Sequence, residues 1–271
     1  AGIDFQGKAI TLMSTDPTDP NVVARTIINA GGSRYFSRRA FHFHSGEGPD
    51  TVLNGITIRG GYVVGAIGVP GRFGVLVPQP YQTTWREEIT EPFPPRAEAG
   101  RNVNGVAYGG GILCEYVSSP TIMNSVITGN TVVAAYGGNG AQGTAGVVFL
   151  AGTDVEELDD GQWGGHGGSG TGTGYGGGIA IRGRSSPVIM NCIITNNIAR
   201  GGTGGDGGNG GFAINDGYAS NGGNGGASIG DGLGGGIYVE NDSLPVIKYC
   251  TFTNNHATTG LPGPRGLPGW G

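Results

Sequence analysis

The chain has 271 residues, of which 60 are glycine and 15 proline; only 13 % are charged, and the formal net charge is −5. So sparse and acidic a set of charges leaves no electrostatic footprint for nucleic acid, and no run of about 18 apolar residues is present to cross a membrane as a helix. Glycine and proline together approach roughly the 25–30 % of low-complexity chains, so order has to come from repetition. The start at Ala1 rather than methionine is what a mature protein would show after removal of a secretory signal.

Residues 2–30 and 40–61 read as two coils of short strands. Residues 3–5 and 9–12 alternate apolar and polar, 16–20 (DPTDP) is a turn, and 22–28 is expected to be a further strand. In 40–44, Phe41 and Phe43 point inward. His42 and His44 then share the outer face, either as solvated residues or as a metal pair. Residues 62–108 are rich in proline and charge, and are expected to leave the stack as a surface excursion.

From Gly109 onward one 22-residue unit recurs three times without gaps, beginning at Gly109, Gly176 and Gly234. Each copy opens GGGI, places a proline eleven residues later (Pro120, Pro187, Pro245) and closes on Asn130, Asn197 or Asn255. Ile112, Ile179 and Ile237 occupy one column, and apolar residues two positions on fix a period of two. A unit this short cannot enclose a core, but stacked copies share one. Isoleucine columns would then form the interior and the closing asparagines a hydrogen-bonded ladder, with rungs about 4.8 Å apart. The expected fold is all-β, a right-handed parallel β-helix of about five coils near 2–30, 40–61, 109–130, 176–197 and 234–255. It forms one domain over 1–259, with insertions at 62–108, 131–175 and 198–233 and a tail at 260–271.

The later insertions carry glycine with a period of three, over 201–211, 221–226 and, more briefly, 164–169. That period fits extended helices with three residues per turn, either packed laterally as polyglycine II or serving as flexible linkers. Residues 260–269 also place glycine at every third position, with imino acids between, in a collagen-like pattern too short for a triple helix. They are expected to dock as one more extended strand, on this subunit or the next.

The GGGI openings and the closing Phe252-Thr253-Asn254-Asn255 resemble the right-handed parallel β-helix proteins with polymorphic-outer-membrane-protein-type repeats, whose marks are GGAI-like and FxxN motifs. Ile127 and Ile194 replace the phenylalanine in the other two copies. The resemblance implies a secreted or bacterial cell-surface protein and says little of chemistry.

Candidate chemistry is thin. Glu115, Arg182 and Glu240 share one outward column, either as a carbohydrate-binding or carbohydrate-cleaving carboxylate pair or as a ladder of alternating charge. The acidic residues Asp154, Glu156, Glu157, Asp159 and Asp160 would suit calcium in an extracellular setting but lack the spacing of a calcium loop. Cys192 and Cys250 share a column and, with Cys114, are expected as free thiols. Asn241 heads a formal glycosylation acceptor. Thr128, Thr195 and Thr253 form one threonine file, too narrow for an ice-binding surface. No triad, phosphate loop or zinc spacing is present. The expected role is therefore structural rather than enzymatic: an extracellular subunit that self-associates head to tail into a homopolymer, with a glycan-binding surface protein as the alternative.

Overall fold

The computed structural model describes residues 2–72, 97–144, 147–151, 154–158, 162–212 and 220–270. It is an all-β solenoid of five coils, built from parallel sheets with one strand per coil. The first sheet stacks Phe41–Phe43, Ile112–Cys114, Ile179–Ile181 and Ile237–Val239, with Ile3 bridged to Phe41 at its edge. The second stacks Thr11–Met13, Val52–Asn54, Thr121–Met123, Val188–Met190 and Val246–Lys248. The third stacks Ile27–Asn29, Thr57–Arg59, Val126–Thr128, Ile193–Thr195 and Thr251–Thr253. Like residues of successive copies are direct cross-strand partners. Thus the columns Leu12–Leu53–Ile122–Ile189–Ile247 and Ile28–Ile58–Ile127–Ile194–Phe252 run the length of the stack. The middle members of these columns, with Ile112, Ile179, Cys114 and Ile181 from the first sheet, make one fully buried core, and Leu12 and Ile28 pack against it partly buried. Phe5 packs edge-on against Phe41 and Phe43, with ring centroids 6.1 and 5.6 Å away, and fills its wider early end.

One expected strand is replaced. Residues 20–25 form a short helix, Pro20–Arg25, and strand begins only at Ile27. The Asp19 carboxylate accepts the Asn21 N–H at 2.8 Å, and Pro20 is already set to a helical φ. This cap outweighs the strand preference of Val22 and Val23.

The coils also reach further than the 22-residue unit. A fourth sheet, Tyr62–Ile67, Thr131–Tyr136, Ile198–Arg200 and His256–Thr258, follows directly after the closing asparagines. Two narrow sheets return to the next GGG: Val103–Asn104, Gly170–Thr171 and Ser228–Ile229, then Ala107–Tyr108, Gly174–Tyr175 and Gly232–Leu233. Residues 62–108 are thus not simply a surface excursion, since 62–67 and 103–108 are rungs. Val63, Val132, Ala107 and Ala199 form a second, smaller core between outgoing and returning sheets. Small side chains keep this neck thin.

Beyond the neck the chain builds a two-layered blade. Four segments run outward from the fourth sheet (68–72, 137–144, 201–211 and 260–269), and three return (97–102, 162–169 and 220–227). Their backbone hydrogen bonds recur every third residue. Gly137, Gly140 and Gly143 donate to the carbonyls of Thr203, Asp206 and Asn209, all at 2.8 Å. Gly204, Gly207 and Gly210 donate in turn to Leu261, Pro264 and Leu267. Across the layers, Gly205, Gly208 and Gly211 donate to Gly168, Gly165 and Gln162, which run the other way. A helix with three residues per turn offers three faces, and each face meets a different neighbour. This is lateral packing of the polyglycine II kind, not a linker.

The triplet grammar follows from that geometry. Cβ atoms at Gly204 and Gly205 would fall on the carbonyls of Gly226 and Gly138, so the helix 201–211 needs two glycines in three. The segment 260–269 has the third helix on one side and no later returning helix in the structure. Gly260, Gly263, Gly266 and Gly269, one residue in three, each approach a neighbour's backbone closely. That is why its pattern is G-X-Y. It docks on its own chain, as the last outgoing member of the blade. The glycines that open each repeat differ in purpose: Gly109, Gly176 and Gly234 have φ of +61°, +70° and +64°, in the left-handed region.

Candidate functional site

Three ladders and two open ends contain nearly all the chemistry of the described residues. The outward ladder lies on the first sheet. Register places Glu115, Arg182 and Glu240 one after another, because Cys114 pairs with Ile181 and Ile181 with Val239. Glu115 Oε1 lies 2.8 Å from His42 Nε2, and its Oε2 lies 3.8 Å from Arg182. Arg182 Nε is 3.7 Å from Glu240 Oε2, and the Arg182 guanidinium sits 4.2 Å over the Tyr108 ring. Tyr108 and Tyr175 stack beside the charges at 4.8 Å between centroids, and Tyr238 lies tilted against Tyr175 at 4.6 Å. His42 is thus a partner of Glu115, and His44 pairs with Asp4 at 3.2 Å. The His42 contact, helped by Arg182 and Arg39 and opposed by burial, holds the Glu115 carboxyl below its ordinary value. Both Glu115 oxygens are engaged, and the Tyr108 ring is taken up by Arg182 and Tyr175. This arrangement neutralises like charge along a stack.

The inner ladder is amide. Asn130 donates from its N–H and Nδ2 to Asn197 Oδ1 at 3.1 and 3.0 Å, and Asn197 repeats the pattern to Asn255. Each Nδ2 also donates to a carbonyl one rung earlier, from Ile58, Ile127 or Ile194. A second amide file was not evident from the repeats: Asn191 donates to Asn124, and Asn124 to Asn54. Asn124 and Asn191 hold φ of +48° and +51° at the turn between second and third sheets, a conformation asparagine tolerates.

Sequence reasoning also missed Glu47. It is fully buried and accepts the Gly7 N–H (3.0 Å), the Ser45 N–H (2.9 Å) and the Ser118 hydroxyl (2.8 Å). Burial alone would raise its pKa, but these donors together outweigh it and hold the carboxyl below its ordinary 4.5. A signal existed. Counted from the paired strands, Glu47 stands in the column that holds Ser118, Ser185 and Ser243 in the repeats. Because its folded pKa is depressed, Glu47 stabilises above pH 4.5 and loses that contribution as pH falls through the folded value. Glu47→Gln, which turns an amide toward backbone donors, is expected to cost about 1–3 kcal/mol at pH 7. The gap to wild type should narrow below pH 4.5 in urea titrations; a gap independent of pH would contradict the assignment.

The other candidates resolve as follows. Cys114, Cys192 and Cys250 are free. Burial raises the Cys114 thiol, and raises Cys192 to about 12, which leaves both unreactive. Thr253 donates to Thr195 at 2.8 Å. Asp154, Glu156 and Glu157 fall on the second strand of a hairpin, Val147–Ala151 with Asp154–Leu158, while Asp159 and Asp160 lie outside the described residues. Among the described residues no three His, Cys, Asp or Glu converge as a metal site, and no helix is long and apolar enough to cross a membrane.

The chain matches no protein-family model, no curated protein and no solved structure.

At the two ends of the stack the three core sheets finish on open rungs. In the fifth coil Ile247 and Phe252 are 39 % and 47 % exposed, although their columns are completely buried at Ile189 and Ile194. Val239 and Val246 are exposed beside them. In the first coil Ile10, Met13 and Ile27 are exposed, and Leu12 and Ile28 are only partly buried. The fourth sheet ends differently. The start of its early edge is occupied by Ser37 and Arg38: Arg38 bridges Tyr62 in the antiparallel sense, and Ser37 Oγ accepts the Val64 N–H.

Proposed function

We propose that this protein is an extracellular structural subunit that stacks head to tail through the open rungs of its first three sheets. The observation that carries the reading is the match between those rungs. Leu12 and Ile28 at one end, and Ile247 and Phe252 at the other, belong to the same two columns in the same register. A second copy placed one rung beyond the fifth coil would continue both columns and pair the exposed strand edges. Such a contact joins unlike surfaces and does not close on itself, so it propagates into a filament. The outer ladders suit that role, because they spend their charged and aromatic groups on axial cohesion. The resemblance to surface β-helix repeats supports a location outside the cell.

The test is negative-stain electron microscopy with sedimentation over a concentration series. Fibres with an axial repeat near five rungs plus a junction, about 24–30 Å, are expected. The double variant Ile247→Asp with Phe252→Asp should remain a folded monomer, since it places charges on an already exposed rung. Wild-type protein that stays monomeric at every concentration would overturn the proposal.

A further inference from the structure

Along the fourth sheet and its passage into the blade, backbone pairing is limited at both ends of the molecule. At the early end Arg38 bridges Tyr62 and Ser37 Oγ takes the Val64 N–H, which occupies the first half of that strand's edge. At the late end the closure is chemical. Ile198 pairs with His256, so the register offset is 58 residues, and Pro262, Arg265 and Pro268 stand where Gly204, Gly207 and Gly210 stand one coil earlier. Those three glycines, like Gly137, Gly140 and Gly143 before them, donate to the next outgoing helix. Proline has no N–H to donate. Of the three donor positions that would extend the lattice, only Arg265 retains one. The blade is terminated as natural sheets terminate their edges, with proline on the outside.

Both closures carry exposed apolar side chains. The 30–39 turn presents Tyr35 and Phe36, 73 % and 68 % exposed, and the terminating helix presents Leu261, Leu267 and the rings of Pro262 and Pro268. They lie on the same sheet. The turn is bonded to Tyr62 and Val64, and the helix leaves the strand His256–Thr258, which continues the Tyr62 and Val64 columns in the last coil. A copy stacked in register on the three core sheets therefore brings its own Tyr35–Phe36 turn over the start of the Leu–Pro ridge. We infer that the C-terminal helix of one copy and the Tyr35–Phe36 turn of a second copy form a side-chain contact that complements the backbone-paired core junction. This inference rests on head-to-tail stacking. It adds that proline at the corner stops the polyglycine lattice from growing and leaves aromatic-on-proline packing to lock the rotation between copies.

The experiment uses the full chain with Cys250→Ser, which removes the one thiol that is not fully buried. Phe36→Cys and Leu261→Cys are introduced together and treated with a short bismaleimide under assembling conditions. A ladder of covalent multimers on denaturing gels is expected, with no more than dimers from either single variant. Fibres that form without a ladder would overturn this contact and leave core stacking standing. Absence of fibres in the parent protein would overturn the stacking on which it rests. As a measurement free of cross-linking, Tyr35→Ser with Phe36→Ser should raise the concentration needed for fibres by about tenfold or more, the loss typical of central aromatic anchors. An unchanged threshold would also count against the contact.

Discussion

Gly208→Val is expected to destabilise the protein by about 3 kcal/mol or more, whereas Asn224→Ala, also in the blade, should stay within about 0.5 kcal/mol of wild type. Both lie in glycine-rich triplets, and composition alone would rank them alike. Gly208 sits at the centre of the lattice: its N–H donates to Gly165, its carbonyl accepts from Gly223, and a Cβ would fall on the Ala141 carbonyl. That neighbour is backbone, fixed by its own hydrogen bonds, so nothing small can swing aside. Asn224 is the third residue of its triplet and is exposed. Urea unfolding followed by circular dichroism would measure both. Equal small losses would mean that the blade is not packed as a polyglycine lattice in solution, because a linker tolerates valine as well as alanine.

The contrast explains why so much of this fold was legible. The GGGI–Pro–Asn unit returns with no insertions inside it, and period two within each strand fixes which residues face inward. The columns Ile112–Ile179–Ile237 and Asn130–Asn197–Asn255 could therefore be written down before any geometry. The blade was half legible: the period of three gave the helix type, but not which helix donates to which. That depends on the neck, where Val132 and Ala199 stack in a segment that reads as insertion because it lies outside the 22-residue unit. The short helix at Pro20–Arg25 was misread because one capping aspartate outweighed two valines. Glu47 was missed because two of its donors, Gly7 and Ser118, lie far off in the chain and only the coiling brings them to it. The outer column Glu115–Arg182–Glu240 was identified as a file. The His42 contact was not legible, because the register sets His44 level with Glu115 and His42 reaches it diagonally from two residues earlier.

Asn197→Ala is expected to cost about 3–5 kcal/mol, more than the same change at Asn255, for which about 1 kcal/mol is expected. Asn197 is completely buried. Its Oδ1 takes two hydrogen bonds from Asn130, and its Nδ2 donates to Ile127 and Asn255. Truncation strands the Asn130 N–H and the Ile127 carbonyl where water does not reach, and a stranded buried group costs about 1–3 kcal/mol. Asn255 is half-buried on the last rung, so water can replace much of what it loses. The ladder is also directional, which makes a second substitution informative. Ionised aspartate at 197 would keep both bonds accepted from Asn130 but have no proton for Ile127 or Asn255 Oδ1. A buried carboxylate facing two acceptors has its pKa raised, so the folded state is penalised above that pKa and relieved as pH falls. Asn197→Asp should thus unfold more readily than Asn197→Ala at pH 7 and recover relative to it near pH 4. If the two variants instead track each other across pH, Asn197 is not held between the Asn130 donors and the Asn255 acceptor. The register of the coils would then rest on the isoleucine columns alone.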